Sequence, residues 1–120
     1  MAYPTLHLER SFLYHLFAPQ AALGTAWGLS EYDSLIAEAV QGDYRVALYA
    51  RPRGPELWAL SVVVSPPVRA MAVLNFGQRI YRAPFDQEGT ATVKAVPVEL
   101  LVGSKGPPLQ VHIEAYAATA

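Results

Sequence analysis

The chain has no cysteine, which excludes a disulfide framework and any thiolate metal site and leaves packing as the source of stability. Charge is scarce too: Asp, Glu, Lys and Arg make up 16% of the 120 residues, against about 25% in ordinary soluble domains. No stretch approaches the roughly 18 apolar residues of a membrane-spanning helix. Nor does the N-terminus carry a basic segment leading into an apolar run and a small-residue cleavage site. A cytoplasmic protein without a membrane partner is the resulting expectation.

Hydrophobic residues, by contrast, reach 52%. With so few charges to cover a surface, part of it must be apolar or covered by something else, which favours a protein partner over an isolated monomer. The length holds one core with a packed appendage, since domains commonly run to about 100–150 residues. The net charge of −1 hides an asymmetry. Residues 1–43 carry Glu9, Glu31, Asp33, Glu38 and Asp43 against Arg10 alone, whereas residues 44–105 carry eight basic groups against Glu56, Asp86, Glu88 and Glu99. An acidic arm before a basic domain is what this division implies.

Pro4-Thr5 opens a helix predicted over residues 6–17, in which Leu6, Leu13, Leu16 and Phe17 share one face and Leu8 and Phe12 widen it. Ala18-Pro19-Gln20 is expected to stop it, and residues 20–29, with Gly24 and Gly28 flanking Trp27, read as a loop with an aromatic anchor. Ser30-Glu31-Tyr32-Asp33 has the form of a helix N-cap with an acidic third position, followed at helical spacing by Leu35, Ile36, Ala39 and Val40 and closed by Gly42. The spacing predicts a second helix over residues 31–41.

From Asp43 the apolar period changes from about 3.6 to 2, with Tyr44, Val46 and Leu48 alternating with Arg45, Ala47 and Tyr49. Seven strands are predicted, over 44–50, 57–64, 68–76, 79–83, 90–96, 98–102 and 109–117, separated by proline and glycine turns. Inward candidates include Val46, Leu48, Leu60, Val62, Leu74, Ile80 and Val111. The fold class is thus mainly β: a seven-stranded antiparallel β-sandwich (43–120) preceded by two short α-helices in an N-terminal arm (1–42).

The clearest local signal is the hairpin that runs from Arg79 to Pro97. Asp86 can bond its own backbone two residues on, Gly89 supplies the positive φ that a hairpin exit needs, and residues 90–96 alternate polar and apolar. The run Asp86-x-x-Gly89-x-Ala91-x-Val93-x-x-Val96-Pro97 resembles the turn-and-strand signature of prealbumin-like β-sandwich modules, such as the carboxypeptidase regulatory-like domains. Similar hairpins occur in the β-domains of some bacterial anti-sigma-like regulatory proteins, where short helices also precede the sandwich. Two departures stand out: Ala83-Pro84-Phe85 replaces a Thr-containing step, and the zinc-binding His/Cys pattern of anti-sigma helical domains is missing. The resemblance implies a bacterial accessory or positioning domain that binds a protein.

Catalytic and ligand-binding patterns are weak. His7-x-Glu9 would diverge by about 200° on a helix, while His112-x-Glu114 shares one face of a strand without a third ligand at a supporting spacing. There is no Gly-x-Ser-x-Gly elbow, and Ser61 reads as a packed strand residue. Gly103-Ser104-Lys105-Gly106 is followed by Pro107-Pro108 where a phosphate loop requires a helix. Asp86 and Glu88 read as turn chemistry rather than an acid–base pair. Arg51-Pro52-Arg53, Arg69, Arg79 and Arg82 interleave with Tyr49, Tyr81 and Phe85, but the net charge of −1 is far from the basic balance of nucleic-acid domains.

The expectation is therefore a non-enzymatic accessory or regulatory module with no metal, no cofactor and no small-molecule substrate. Phe12, Leu16, Trp27, Tyr32, Tyr81 and Phe85 are its candidate protein-binding anchors, because aromatic side chains carry much of the energy in partner pockets. The alternative is a structural subunit of a symmetric assembly, such as a phage or shell component, whose arm contacts a neighbour.

Overall fold

The computed structural model describes residues 3–23, 34–54, 56–103 and 106–115, the side chains of 18–23 excepted. In chain order the elements are β1 (Leu6–Leu8), α1 (Arg10–Leu23), β2 (Ser34–Gln41), β3 (Tyr44–Pro52), β4 (Leu57–Ser65), β5 (Ala70–Asn75), β6 (Ile80–Pro84), β7 (Thr90–Pro97), α2 (Val98–Val102) and β8 (Leu109–Ala115). They form two four-stranded antiparallel sheets, ordered β1-β8-β5-β6 and β2-β3-β4-β7. The mainly β, sandwich-like architecture is as expected, with eight strands rather than seven.

Strand alternation builds the core. On β3 the side chains of Val46, Leu48 and Ala50 point inward, and the register pairs them with Val64, Val62 and Leu60 of β4. Ala70, Ala72 and Leu74 of β5 do the same in the other sheet, beside Leu109 and Val111 of β8. Leu13 and Phe17 from α1 and Leu100 and Leu101 from α2 complete a single cluster. Phe17 meets Trp58 edge-on, ring centroids 4.8 Å apart, so the helix is fixed to the second sheet by an aromatic contact. On β4, Trp58, Leu60, Val62 and Val64 point inward.

Three local predictions are corrected. The helix predicted over residues 31–41 is overturned in its described part: Ser34–Gln41 is a strand, paired with β3 down to Gln41↔Tyr44. Gly42, with φ of 61°, is not a helix stop but the first residue of a two-residue hairpin turn, a position that favours glycine in type II′ geometry. At the N-terminus Leu6–Leu8 is a strand on β8, and the helix starts at Arg10 and continues past Pro19 to Leu23. Leu6 and Leu8 are buried with His7 exposed between them, a period-2 pattern that a three-residue strand leaves too short to read. Val98–Val102 is a helical turn rather than a strand, with Leu100 and Leu101 both buried. Adjacent inward residues suit a helix and not a pleated strand. Ile80 is also 45% exposed, because Tyr81, Ala83 and Phe85 take the inward parity instead.

The Asp86 turn forms as read, but the strands it joins are not a hairpin: β6 pairs with β5 in one sheet and β7 with β4 in the other. Asp86 Oδ1 accepts hydrogen bonds from the backbone N–H of Glu88 (2.8 Å) and Thr90 (3.0 Å). Gly89 has φ of 86°, and a Cβ there would lie 2.4 Å from the Val64 carbonyl oxygen. Both the conformation and the space require glycine.

One buried cation holds the end of the molecule where the helices meet. Arg10, 7% exposed, donates from Nε to the Pro107 carbonyl (2.8 Å), from Nη1 to Leu100 (2.6 Å) and from Nη2 to Phe76 (2.8 Å). A planar guanidinium with a fixed fan of donors is suited to tying three chain segments together.

Candidate functional site

The anchors expected from sequence fall into separate environments. Phe12 is 43% exposed on α1, and Leu16, one helical turn on, is half-buried against the core. Tyr81 is half-buried on the inward face of β6, 5.9 Å edge-on from Phe76 and with the Arg79 guanidinium 5.5 Å from its ring centroid. Phe85, 9% exposed, is a core residue whose backbone N–H donates to Ala70. Trp27 and Tyr32 lie outside the described residues. The four described anchors make two pairs, one on a helix and one turned into the sandwich, rather than one aromatic patch.

The basic-aromatic series is divided as well. Arg51 stands with Tyr49 on the outer face of β3 in one sheet, with Arg53 just past the strand's end, whereas Arg82 stands on the outer face of β6 in the other. There Arg82 lies 4.0 Å from Glu114, which also lies 3.9 Å from His112 Nε2. His112 and Glu114 thus do share a strand face, but among the described residues no three potential ligands gather for a metal. Residues 106–108 lead into a strand, so the glycine-lysine loop is not the start of a phosphate-binding helix. The Asp86 carboxylate is occupied by its own turn.

What the structure adds is a contrast among sheet edges. An edge strand presents unpaired N–H and C=O groups, and proteins usually guard it by shortness, proline, cationic side chains or bulges. β1 is three residues long. β6 is five residues long, carries Arg82 and ends at Pro84. β7 carries Lys94, ends at Pro97 and breaks register against β4. β2 is the least guarded: eight residues with no proline and no cationic side chain, protected only by a register irregularity near its start, between Leu35 and Ala37.

Its sequence, Ser34-Leu-Ile-Ala-Glu-Ala-Val-Gln41, holds one charge. That charge is neutralised inside the chain, because Glu38 forms an ion pair and hydrogen bond with Arg45 on the neighbouring strand. The same contact raises the Arg45 pKa above its ordinary value, the hydrogen bond it donates to the Glu38 carboxylate being the main cause and the charge of Glu38 the next. Leu35 and Val40 on the outward face are 50% and 68% exposed. The register is irregular between Leu35 and Ala37 and unbroken over residues 37–41. Among the described residues no strand pairs with the outer edge of β2.

Sequence reasoning missed this edge because it placed a helix there. The signal that identifies it is Gly42-Asp43 between two apolar runs, a two-residue hairpin connection. No helix among the described residues is long and apolar enough to cross a membrane. No family model matches the chain, and neither the curated proteins nor the solved structures offer a significant match.

Proposed function

We propose that this chain is a non-catalytic protein-binding module that works by strand pairing at the β2 edge, and that the strand it pairs with is β2 of a second copy. The observation that carries the reading is the contrast between β2 and the three guarded edges. Main-chain hydrogen bonds supply the affinity in such augmentation, and the flanking side chains supply the selectivity. A second copy suits the edge for two reasons. Antiparallel pairing of identical strands closes by a two-fold axis, the commonest symmetry of oligomers. Bringing two copies of Glu38 near each other is tolerable because each is already paired with its own Arg45. Exposed Leu35 and Val40 of the two copies would then form an apolar strip at the seam.

The likeness to prealbumin-like accessory modules rests on the Asp86 turn and the strand after it, and a symmetric pair is also the smallest form of the structural-subunit alternative. The test is light scattering coupled to size-exclusion chromatography at two concentrations, on the full chain and on Val40→Pro; alternation from the closing pair Gln41↔Tyr44 turns the Val40 N–H to the free edge, whereas that of Ala39 bonds to β3. The full chain should run as a dimer. Proline removes a backbone donor and breaks strand geometry, so the variant should run as a folded monomer. Val40→Lys, which places a cation on the edge, should weaken the dimer without touching the core. A full chain that is monomeric at both concentrations would refute the self-pairing.

A further inference from the structure

The outer face of the second sheet holds a depression that none of the roles above uses. It has a volume of about 180 Å³ and is lined by Arg51, Arg53, Ala59, Ser61, Thr92 and Lys94. The register explains how it forms. Arg51 of β3 is opposite Ala59 of β4, and Tyr49 is opposite Ser61, which in turn is opposite Thr92 of β7. Small residues on the central strand thus make a floor between longer side chains on either side. Arg51 rises from β3, Arg53 from just past its end and Lys94 from β7, and none of the lining residues is acidic. The Ser61 hydroxyl, on a residue only 7% exposed, lies 3.2 Å from the Thr92 hydroxyl, so the floor is polar.

We propose that this depression binds the diphosphate, or the phosphate, of a small phosphorylated ligand. The cations set the sign of the charge. The hydroxyls and the guanidinium groups set the kind of anion: arginine presents paired donors that match phosphate oxygens, and lysine adds a compact charge. A carboxylate offers two oxygens and one charge, too few for three cations flanking two hydroxyls. The volume equals that of about six water molecules at about 30 Å³ each, which suits a diphosphate with room for a small attached group. The position on β3, β4 and β7 leaves the β2 edge uncovered, so this inference does not depend on the pairing proposed above.

The test titrates the full-length protein with inorganic phosphate, pyrophosphate and vesicles containing phosphatidic acid, at low ionic strength, followed by amide chemical shifts. Pyrophosphate is expected to give saturable shifts centred on residues 59–61 and 92–94, with a smaller effect from phosphate. Arg53→Ser with Lys94→Ser should weaken pyrophosphate binding at least tenfold while leaving the rest of the spectrum in place, and Ser61→Ala should weaken it a few-fold. Arg82→Ser, on the other sheet, should leave it unchanged. Non-saturable shifts, equal loss in Arg82→Ser, an unaffected double variant, or binding to vesicles without binding to pyrophosphate would each overturn the assignment.

Discussion

Arg10 offers the sharpest test of how the fold is held. Its guanidinium binds carbonyls from three places far apart in sequence: the end of β5, the α2 turn and the segment before β8. The bonds to Leu100 and Phe76 are buried and the one to Pro107 partly so. A buried acceptor that loses its donor costs about 1–3 kcal/mol, so the two buried carbonyls alone put the loss at about 2–6 kcal/mol. Removing a buried cation also relieves its own desolvation, which brings the expected loss for Arg10→Met to about 2–4 kcal/mol. Arg10→Lys keeps the charge but replaces the fan of donors with one ammonium, which cannot span three segments. Its loss should therefore be no smaller than that of the methionine variant. Against a total of about 5–15 kcal/mol for a typical domain, either change is large. Urea unfolding followed by far-ultraviolet circular dichroism measures it, and amide exchange at residues 76–78, at 100–103 and at Gly106 should speed up together. If Arg10→Lys falls within about 0.5 kcal/mol of the parent, the usual scatter of surface changes, the argument from guanidinium geometry fails.

Other expectations concern the turn and the two aromatic environments. Gly89→Ala should destabilise by more than the about 1 kcal/mol that ordinary glycine replacements change, since the new methyl meets the Val64 carbonyl at 2.4 Å and the residue must hold φ of 86°; a neutral result in urea unfolding would refute the close approach. Phe85→Ala should cost about 3 kcal/mol, whereas Phe12→Ala, on a residue 43% exposed, should change stability by no more than about 0.5 kcal/mol. Equal losses at the two sites, measured the same way, would show that the helix packs differently from the arrangement described.

Much of the β region was readable because its signals are local. Proline and glycine turns bracket β3 to β7, alternation marks β3, and the Asp86 turn carries its own hydrogen-bonding logic. The misreadings occurred where non-local pairing decides the structure. β1 exists only because β8 lies beside it, and nothing within three residues announces that. Arg10 read as one cation among acids, because its carbonyl partners lie 66 to 97 residues away in sequence. Of the candidate anchors, Phe12 was legible as an exposed aromatic and Phe85 was not recognisable as core, since the inward parity of β6 is set by its partner β5. The depression on β3, β4 and β7 needs three strands in register before its cations converge.

β2 is the case where local preference and tertiary structure disagree outright. Leu, Ala, Glu and Gln are good helix formers and make up five of the eight residues of Ser34–Gln41; what makes the segment a strand is the ladder with β3 and the Gly42 turn. A segment held against its own propensity should gain when that propensity is changed. Gln41 is exposed and sits opposite Tyr44 at the end of the hairpin. Replacing it with threonine lowers helix propensity and raises strand propensity, on a scale that spans about 1 kcal/mol, and a β-branched residue facing an aromatic is a favourable cross-strand pair. Gln41→Thr should therefore stabilise the protein by about 0.5 kcal/mol, measured as a higher urea midpoint at unchanged slope. A loss of stability of that size would mean that residues 34–41 are not a strand in solution, and the edge on which the proposed function rests would go with it.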